Sequence, residues 1–166
     1  MKLPVLLFAL VALSACGFEP LHGRSYQERT ITGELAAIKV DTPSGILGEL
    51  LRAEIEDGVN PEYQNVQPRY RLQVELTEQD VPLFINIDGT ANRGEIRYLS
   101  NYTLVRLSDN TILNQGKISR VSSYNSSQTA DYAAFVSKED AKKRAILELA
   151  QDYKLRLANL SARINE

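Results

Sequence analysis

A single long run of apolar residues at helical spacing, near the C-terminus, most constrains the fold of this 166-residue chain. The run comprises Ile146, Ala150, Tyr153, Leu157, Leu160 and Ile164, widened by Ala145 and Leu149. This spacing predicts an amphipathic helix from Lys138 to about Arg163, roughly 39 Å long at 1.5 Å per residue. Its apolar stripe has to be buried, and the segments before it indicate how.

Three upstream segments show the patterns of β-strands. The segment RYRLQVEL (69–76) alternates cleanly between apolar and polar residues, which predicts a strand with one buried face. Its apolar residues are Tyr70, Leu72, Val74 and Leu76. Residues 94–107 and 111–125 flank Ser108-Asp109-Asn110 and predict two long strands joined by a tight hairpin.

The first hairpin strand carries apolar residues on both faces. Leu99, Val105 and Leu107 lie opposite the face that contains Ile96 and Tyr98. This pattern indicates that each face of the strand contacts something.

Two segments lack a clear period. Residues 77–93 contain Pro82, Gly89 and Asn92, which predict a long loop. Residues 126–136 are rich in Ser, Ala and Tyr, and we expect them to be irregular at first.

An earlier strand and helix complete the set of elements. Residues 38–40 predict a short strand, after which Thr42 is expected to cap a helix with Pro43 in its first turn. The apolar stripe of this helix reaches Ile55, and Gly58 is a suitable end.

The resulting order, β-α-β-β-β-α, predicts an α+β fold. The simplest way to bury both helical stripes is to pack two helices on one face of a four-stranded, mostly antiparallel sheet. The crossover through the first helix would make the first two strands the one parallel pair. Gly45 and Gly48 each weaken the first helix by about 1 kcal/mol relative to Ala, so packing must hold it in place.

The N-terminus has the three-part pattern of a secretory signal. Lys2 supplies a positive charge, and residues 3–13 are almost entirely apolar but too few to span a bilayer. Leu13-Ser14-Ala15-Cys16 is similar to a bacterial lipobox, whose cysteine is lipidated and becomes the first residue of the mature protein. The alternative is that Cys16 is a small buried hydrophobic residue at the end of an N-terminal helix.

Lipidation would define the domain organisation. We expect a signal peptide at residues 1–15, a lipidated tether at 16–33 and a single α/β domain at 34–166. Several acyl chains at Cys16 would anchor the protein to one leaflet, since each buried CH₂ contributes about 0.8 kcal/mol. Gly17, where an inner-membrane lipoprotein tends to have Asp, favours the outer membrane with the domain on the periplasmic side.

The sequence offers little for catalysis. His22 is the only histidine and lies in the predicted tether, and with Cys16 lipidated no thiol remains as a nucleophile or zinc ligand. The serines at 122–127 lack a GxSxG motif, and no phosphate-binding glycine loop is present. The net charge of −2 argues against nucleic acid as a partner. We therefore expect no enzyme activity, no cofactor and no metal.

Basic residues on the predicted hairpin favour a binding role. They are Arg93, Arg97, Arg106, Lys117 and Arg120, interleaved with Tyr98, Tyr102 and Tyr124. Arg forms paired hydrogen bonds with phosphate, so this surface could hold an anionic amphiphile or a protein partner. The alternative is the ordinary polar face of a half-exposed sheet.

The string CGFEPLHG (16–23) carries a family resemblance. It resembles the opening of the lipopolysaccharide-assembly lipoprotein (LptE) family, particularly its α-proteobacterial type, in which a Cys-Gly-Phe-x-Pro-Leu-Tyr-Gly string is usual. His22 replaces the usual Tyr, and the predicted order of elements agrees with the family at the level of fold.

The resemblance implies a role without catalysis. Members of this family lie in the lumen of the large outer-membrane β-barrel LptD as a plug, assist barrel assembly, and contact lipopolysaccharide on its way to the outer leaflet. The implied partners are thus an LptD-type barrel, lipopolysaccharide and, through the acyl chains, the outer membrane.

A second hypothesis is a free-standing periplasmic lipoprotein that binds a lipid or small ligand for a transport system. A plug should use both sheet faces and its loops, whereas a free binder should enclose one apolar cavity.

Overall fold

The computed structural model describes residues 33–85, 91–125 and 131–164. The predicted signal peptide, Cys16, His22 and residues 16–32 of the predicted tether lie outside the described residues.

Six helices and strands form the described fold, after a short helical segment at residues 33–36. In chain order they are β1 (Ile38–Asp41), α1 (Ile46–Val59), β2 (Tyr70–Ile85), β3 (Ala91–Arg106), β4 (Ile112–Asn125) and α2 (Asp131–Ile164). The order β-α-β-β-β-α confirms the prediction.

The four strands form one sheet in the order β1-β2-β3-β4. β1 pairs with β2 in parallel, from Ile38 opposite Tyr70 to Asp41 opposite Gln73, and the other two pairs are antiparallel. This confirms the predicted mixed sheet with its single parallel pair.

The core lies between one face of the sheet and the two helices. Along β2, Tyr70, Leu72 and Val74 are buried as the alternation predicts. They meet the stripe of α2, of which Ala145, Ile146, Leu149, Ala150, Tyr153 and Leu157 are buried. α1 lies against α2 and β1 and adds Leu51 and Ile55 to the same core.

The prediction of a long loop at 77–93 is wrong. β2 continues to Ile85 and β3 begins at Ala91, with register shifts on either side of Phe84. Pro82 belongs in a strand here because β1 pairs with β2 only as far as Gln73, which leaves the rest of β2 with a free edge. A proline is tolerated where its missing N–H would face such an edge.

Both helices begin elsewhere than predicted. α2 starts at Asp131, seven residues before Lys138, so part of the segment predicted to be irregular is helical. α1 starts at Ile46, and Gly45 rather than Thr42 is its N-cap residue, with no capping side chain. The Thr42 hydroxyl instead donates a hydrogen bond to the Gly48 carbonyl at 2.9 Å.

Gly48 allows the chain before α1 to fold back onto the first turn of the helix. A Cβ atom at this position would lie 1.9 Å from the Pro43 carbonyl oxygen, which is a backbone atom with little freedom to move. The helix therefore needs glycine at a position where its intrinsic propensity favours alanine.

We predict that Gly48→Ala destabilises the protein by about 1–3 kcal/mol, because backbone has to shift to make room for the methyl group. The measurement is urea unfolding followed by circular dichroism. Gly58→Ala, in the same helix, is the matched control, because the atoms nearest its Cβ belong to the flexible side chain of Lys154, which can move, and not to backbone. We expect it to be neutral or stabilising by up to about 1 kcal/mol. Equal stabilisation by both substitutions would contradict the packing argument.

Candidate docking surface

One face of the sheet is covered by α1 and α2, and the other, here called the outer face, is uncovered in the described part of the chain. The strand register assigns to the outer face the odd-numbered residues of 71–81, 93–105 and 115–125. Their even-numbered neighbours, such as Leu72 and Tyr98, are buried beneath the helices. The helices account for the predicted contact on one face of β3, and the contact predicted for its other face stays a prediction.

Uncharged polar side chains dominate the outer face. They are Gln73, Thr77, Gln79, Asn101, Thr103, Gln115, Ser119, Ser123 and Asn125. Leu99 on β3 and Val121 on the edge strand β4 are exposed apolar residues of this face, at 39% and 40%. The adjacent cross-strand pairs Leu99–Ser119 and Arg97–Val121 make these two residues diagonal neighbours. The outer face therefore combines hydrogen-bonding groups with a small exposed apolar contact.

A shallow, open depression of about 480 Å³ lies beside this apolar pair. It is lined by Glu75, Asn101, Tyr102, Thr103, Gln115, Gly116 and Lys117. Gly116 faces the inner side of the sheet, where the ring of its cross-strand neighbour Tyr102 packs over it.

Three of the five predicted basic residues share the outer face. Arg93, Arg97 and Lys117 are all exposed there. Arg97 is four residues from Arg93 along β3, and Lys117 is level with Asn101, four residues beyond Arg97. At about 3.3 Å per residue, each step is about 13 Å, so the three cations form a line and not a cluster.

The other two basic residues are placed elsewhere. Arg106 lies at the β3–β4 turn, where its Nη1 is 3.3 Å from the Asp109 carboxylate. Arg120 points towards α2 and pairs with Asp152, with its Nη2 2.5 Å from Oδ1. Arg120 therefore joins the helix to the sheet and is not part of the outer face.

Ion pairs that sequence reasoning missed hold the N-terminal half of α2 against the sheet. Lys142 Nζ lies 3.1 Å from Glu78, and Lys138 pairs with Asp80 at 2.5 Å. The Tyr98 hydroxyl donates to Glu78 at 2.5 Å, and burial together with this hydrogen bond raises the pKa of Tyr98. These carboxylates were missed because residues 77–93 were assigned to a loop, since residues 77–80 are all polar and show no apolar alternation.

Asp80 is stabilised as a carboxylate. Burial opposes its ionisation, but hydrogen bonds from Lys138 and Tyr124 outweigh that effect and lower the pKa of Asp80. Tyr124 reaches Asp80 across Gly94, where any side chain would collide with the tyrosine ring. Burial and the hydrogen bond to Asp80 raise the pKa of Tyr124 to about 12, so it donates at physiological pH.

The first two turns of α2 carry a separate exposed apolar group. Tyr132 is 81% exposed and Phe135 is 60% exposed, and Val136 lies one residue further along. This group is at the end of the sheet where β4 finishes, away from residue 33, where the described chain starts.

Among the described residues, no helix has both the length and the apolarity needed to cross a membrane. Within the same ranges, no three His, Cys, Asp or Glu side chains come together as a group that could hold a metal ion.

Neither a protein-family model nor a curated protein matches the sequence. Solved structures do match. A protein from Caulobacter crescentus CB15 described as a lipoprotein is 26% identical, with a TM-score of 0.62, and the match covers 78% of this chain and 93% of that one.

Two further lipoprotein structures share the architecture. Rare lipoprotein B from Shewanella oneidensis is 13% identical, with a TM-score of 0.60 and coverage of 78% of this chain and 97% of that one. A minor lipoprotein from Acinetobacter baumannii is 16% identical, with a TM-score of 0.58 and coverage of 74% and 90%. Because these two proteins are only 16% and 13% identical to this chain, the comparison with them shows a shared fold and nothing more. The chain therefore has a fold found in bacterial lipoproteins.

We predict different effects of charge reversal at two arginines. Arg120→Glu should destabilise the protein by about 1–3 kcal/mol, because it removes a partly buried ion pair and places a carboxylate beside Asp152. Arg97→Glu, on the outer face, should change stability by less than about 0.5 kcal/mol. Urea unfolding of both variants measures the difference, and equal stabilities would show that Arg120 does not join α2 to the sheet.

We predict that Asp80→Asn lowers stability by about 0.5–1 kcal/mol at neutral pH, a modest value because the site is partly exposed to solvent. Since the pKa of Asp80 is lowered by folding, its contribution is present above the ordinary value of 3.8 and is lost as the pH falls through the lower, folded value. Urea midpoints of the wild type and variant should therefore converge in acid. Glu148→Gln, exposed on α2, is the control and should have no effect at either pH. A difference for Asp80→Asn that persists in acid would rule out this linkage.

Proposed function

We propose that this protein is an outer-membrane lipoprotein, anchored through acyl chains on Cys16 after removal of residues 1–15, with its folded domain on the periplasmic side. The observation that carries the proposal is a lipobox cysteine preceding a domain with the fold of bacterial lipoproteins. The Caulobacter protein with this fold is 26% identical and is itself described as a lipoprotein.

We further propose that the domain docks in the lumen of an LptD-type β-barrel and assists its assembly and the insertion of lipopolysaccharide into the outer leaflet. The CGFEPLHG string at 16–23 supports this role. The outer face supports it as well, since barrel lumens are lined by polar side chains. Glutamine, threonine, asparagine and serine side chains on this face suit hydrogen bonding to such a wall, and Leu99 and Val121 add an apolar contact.

Arg93 and Arg97 are the best-placed groups for lipopolysaccharide phosphates. Both are exposed on the outer face of β3, and in the described part of the chain neither makes an ion pair. Arg forms paired hydrogen bonds with phosphate oxygens. Arg106 and Arg120 already have carboxylate partners and are less suited to this role.

A free-standing lipid carrier has less support. Among the described residues, the apolar cavity between β1, β2 and the end of α2 has a volume of about 10 Å³. That is room for about one water molecule and not for an acyl chain. The larger depressions are open to solvent, as on the outer face.

The test is purification of the full-length protein from its own membranes in mild detergent. We expect a large β-barrel protein to co-purify in roughly equal amount, and we expect the mature chain to begin at Cys16 with the added mass of acyl chains. Arg97→Glu should retain the barrel and reduce photo-crosslinking to lipopolysaccharide severalfold, with Glu148→Gln as a control for unspecific charge effects.

A lone monomer in mild detergent would overturn the barrel proposal. A chain that retains Met1, or carries an unmodified Cys16, would overturn the lipoprotein assignment. Unchanged crosslinking in Arg97→Glu would remove this arginine from the lipopolysaccharide site.

A further inference from the structure

β4 forms one edge of the sheet over its 14 residues, whereas the other edge is divided between β1, which has 4, and the part of β2 beyond Gln73, which contains Pro82. An edge strand presents one row of backbone N–H and C=O groups that its own sheet leaves unpaired. In an antiparallel strand the N–H and C=O of one residue point to the same side, and the side alternates along the chain.

The end of this edge nearest α2 is capped by side chains of the helix. The Asn125 N–H donates to the Ser137 hydroxyl at 3.1 Å, and Arg144 Nη2 donates to the Ser123 carbonyl at 3.1 Å. These two bonds show that the odd-numbered residues of β4 direct their backbone groups away from β3. No register shift interrupts the β3–β4 pairing between Asn114 and Asn125, so the same holds for Gln115, Lys117, Ser119 and Val121.

The remainder of the edge is uncapped. Within the described ranges, no side chain makes a hydrogen bond to the backbone of residues 115–121. This stretch, here called the free edge, borders the open depression on the outer face through Gln115 and Lys117. A strand added at the free edge would extend the outer face without displacing a helix.

Side chains along β4 specify what kind of strand fits. Ile112 is 57% exposed and Val121 is 40% exposed, while Lys117 lies between them. The register shift next to Val105 brings Ile112 to the outer face. Ile112, Lys117 and Val121 therefore follow one another along the same face of β4. β4 contains no Asp or Glu. The pattern apolar–basic–apolar is complementary to a strand with a carboxylate between two apolar residues.

We propose that an extended segment of the barrel partner, with an acidic residue opposite Lys117, adds to the free edge of β4 as a fifth strand. This inference rests on the proposed function, because the barrel is the occupant to which it commits. Backbone hydrogen bonds provide the attachment, and the side-chain pattern provides the specificity.

A second copy of the same chain fits this edge less well. Antiparallel pairing of two free edges about their centre would bring the two Lys117 side chains close together, with no carboxylate on either strand to compensate. Like charges across a strand pair are destabilising and are used in nature to prevent such pairing.

The test compares variants of the full-length lipoprotein purified from its own membranes in mild detergent. Ser119→Pro removes one outward N–H at the free edge, a position where proline is compatible with a strand, and Ser119→Thr keeps that N–H. We expect Ser119→Pro and Lys117→Glu each to reduce the co-purified barrel about tenfold, and Ser119→Thr to retain it. Thermal unfolding checks that all three variants are folded.

A photo-crosslinking amino acid at Gln115 gives an independent measurement that does not require any variant to weaken binding. We expect it to crosslink to the barrel, whereas the same probe at Glu148, on the exposed side of α2, should not. Crosslinking at Gln115 to a second copy, or to the N-terminal segment of the same chain, would overturn the proposal.

Failure of this inference is distinguishable from failure of the proposed function. If the wild type recovers the barrel and Ser119→Pro recovers it equally well, the free edge is not the attachment site while the barrel assignment stands. If no barrel protein co-purifies with the wild type, both the barrel proposal and the free-edge inference are wrong.

Discussion

The packing of α2 across β3 and β4 is the interaction on which the rest of the structure depends. Tyr153, which is 1% exposed, makes an edge-to-face contact with Tyr102 at 5.5 Å between ring centroids. Its hydroxyl lies 2.7 Å from Ser100 Oγ, so the polar end of this buried ring has a partner within the sheet. Arg120 and Asp152 add an ion pair beside it. Without α2 the apolar inner face of the β3–β4 hairpin would be exposed to solvent.

Because both helices lie on one side, the same packing leaves the other side of the sheet available. A sheet with one buried and one exposed face normally alternates apolar and polar residues, as β2 does. β3 departs from this rule at Leu99, which the helices and strands of the described part of the chain leave 39% exposed. The free edge of β4 borders this outer face. The placement of both helices on one side of the sheet therefore leaves both the outer face and the free edge exposed.

The way α2 is held changes along its length. Its C-terminal half meets a closely packed core that includes Leu104, Leu149 and Leu157. Its N-terminal half is held by ion pairs and by tyrosine hydroxyls, among them Tyr98 on Glu78 and Tyr124 on Asp80. Apolar packing is little affected by pH and salt. Partly exposed ion pairs weaken when the salt concentration rises and when acid protonates their carboxylates. The end of the domain that carries Tyr132 and Phe135 is therefore the end whose attachment responds to solution conditions.

The sequence by itself determined the element order, the mixed sheet and the buried stripes, because a period of two or of 3.6 is a local property that burial of one face imposes. It also singled out Cys16 and five basic residues of the hairpin, but not which three of those five share the outer face. It did not determine that residues 77–85 continue β2, because a proline is acceptable only at an edge, and the length of β1 decides where β2 has one. Nor could it assign Arg120 to a helix contact, because that depends on which face α2 covers. Only the tertiary structure decided these points, since strand neighbours and helix placement are set by residues far apart in the chain.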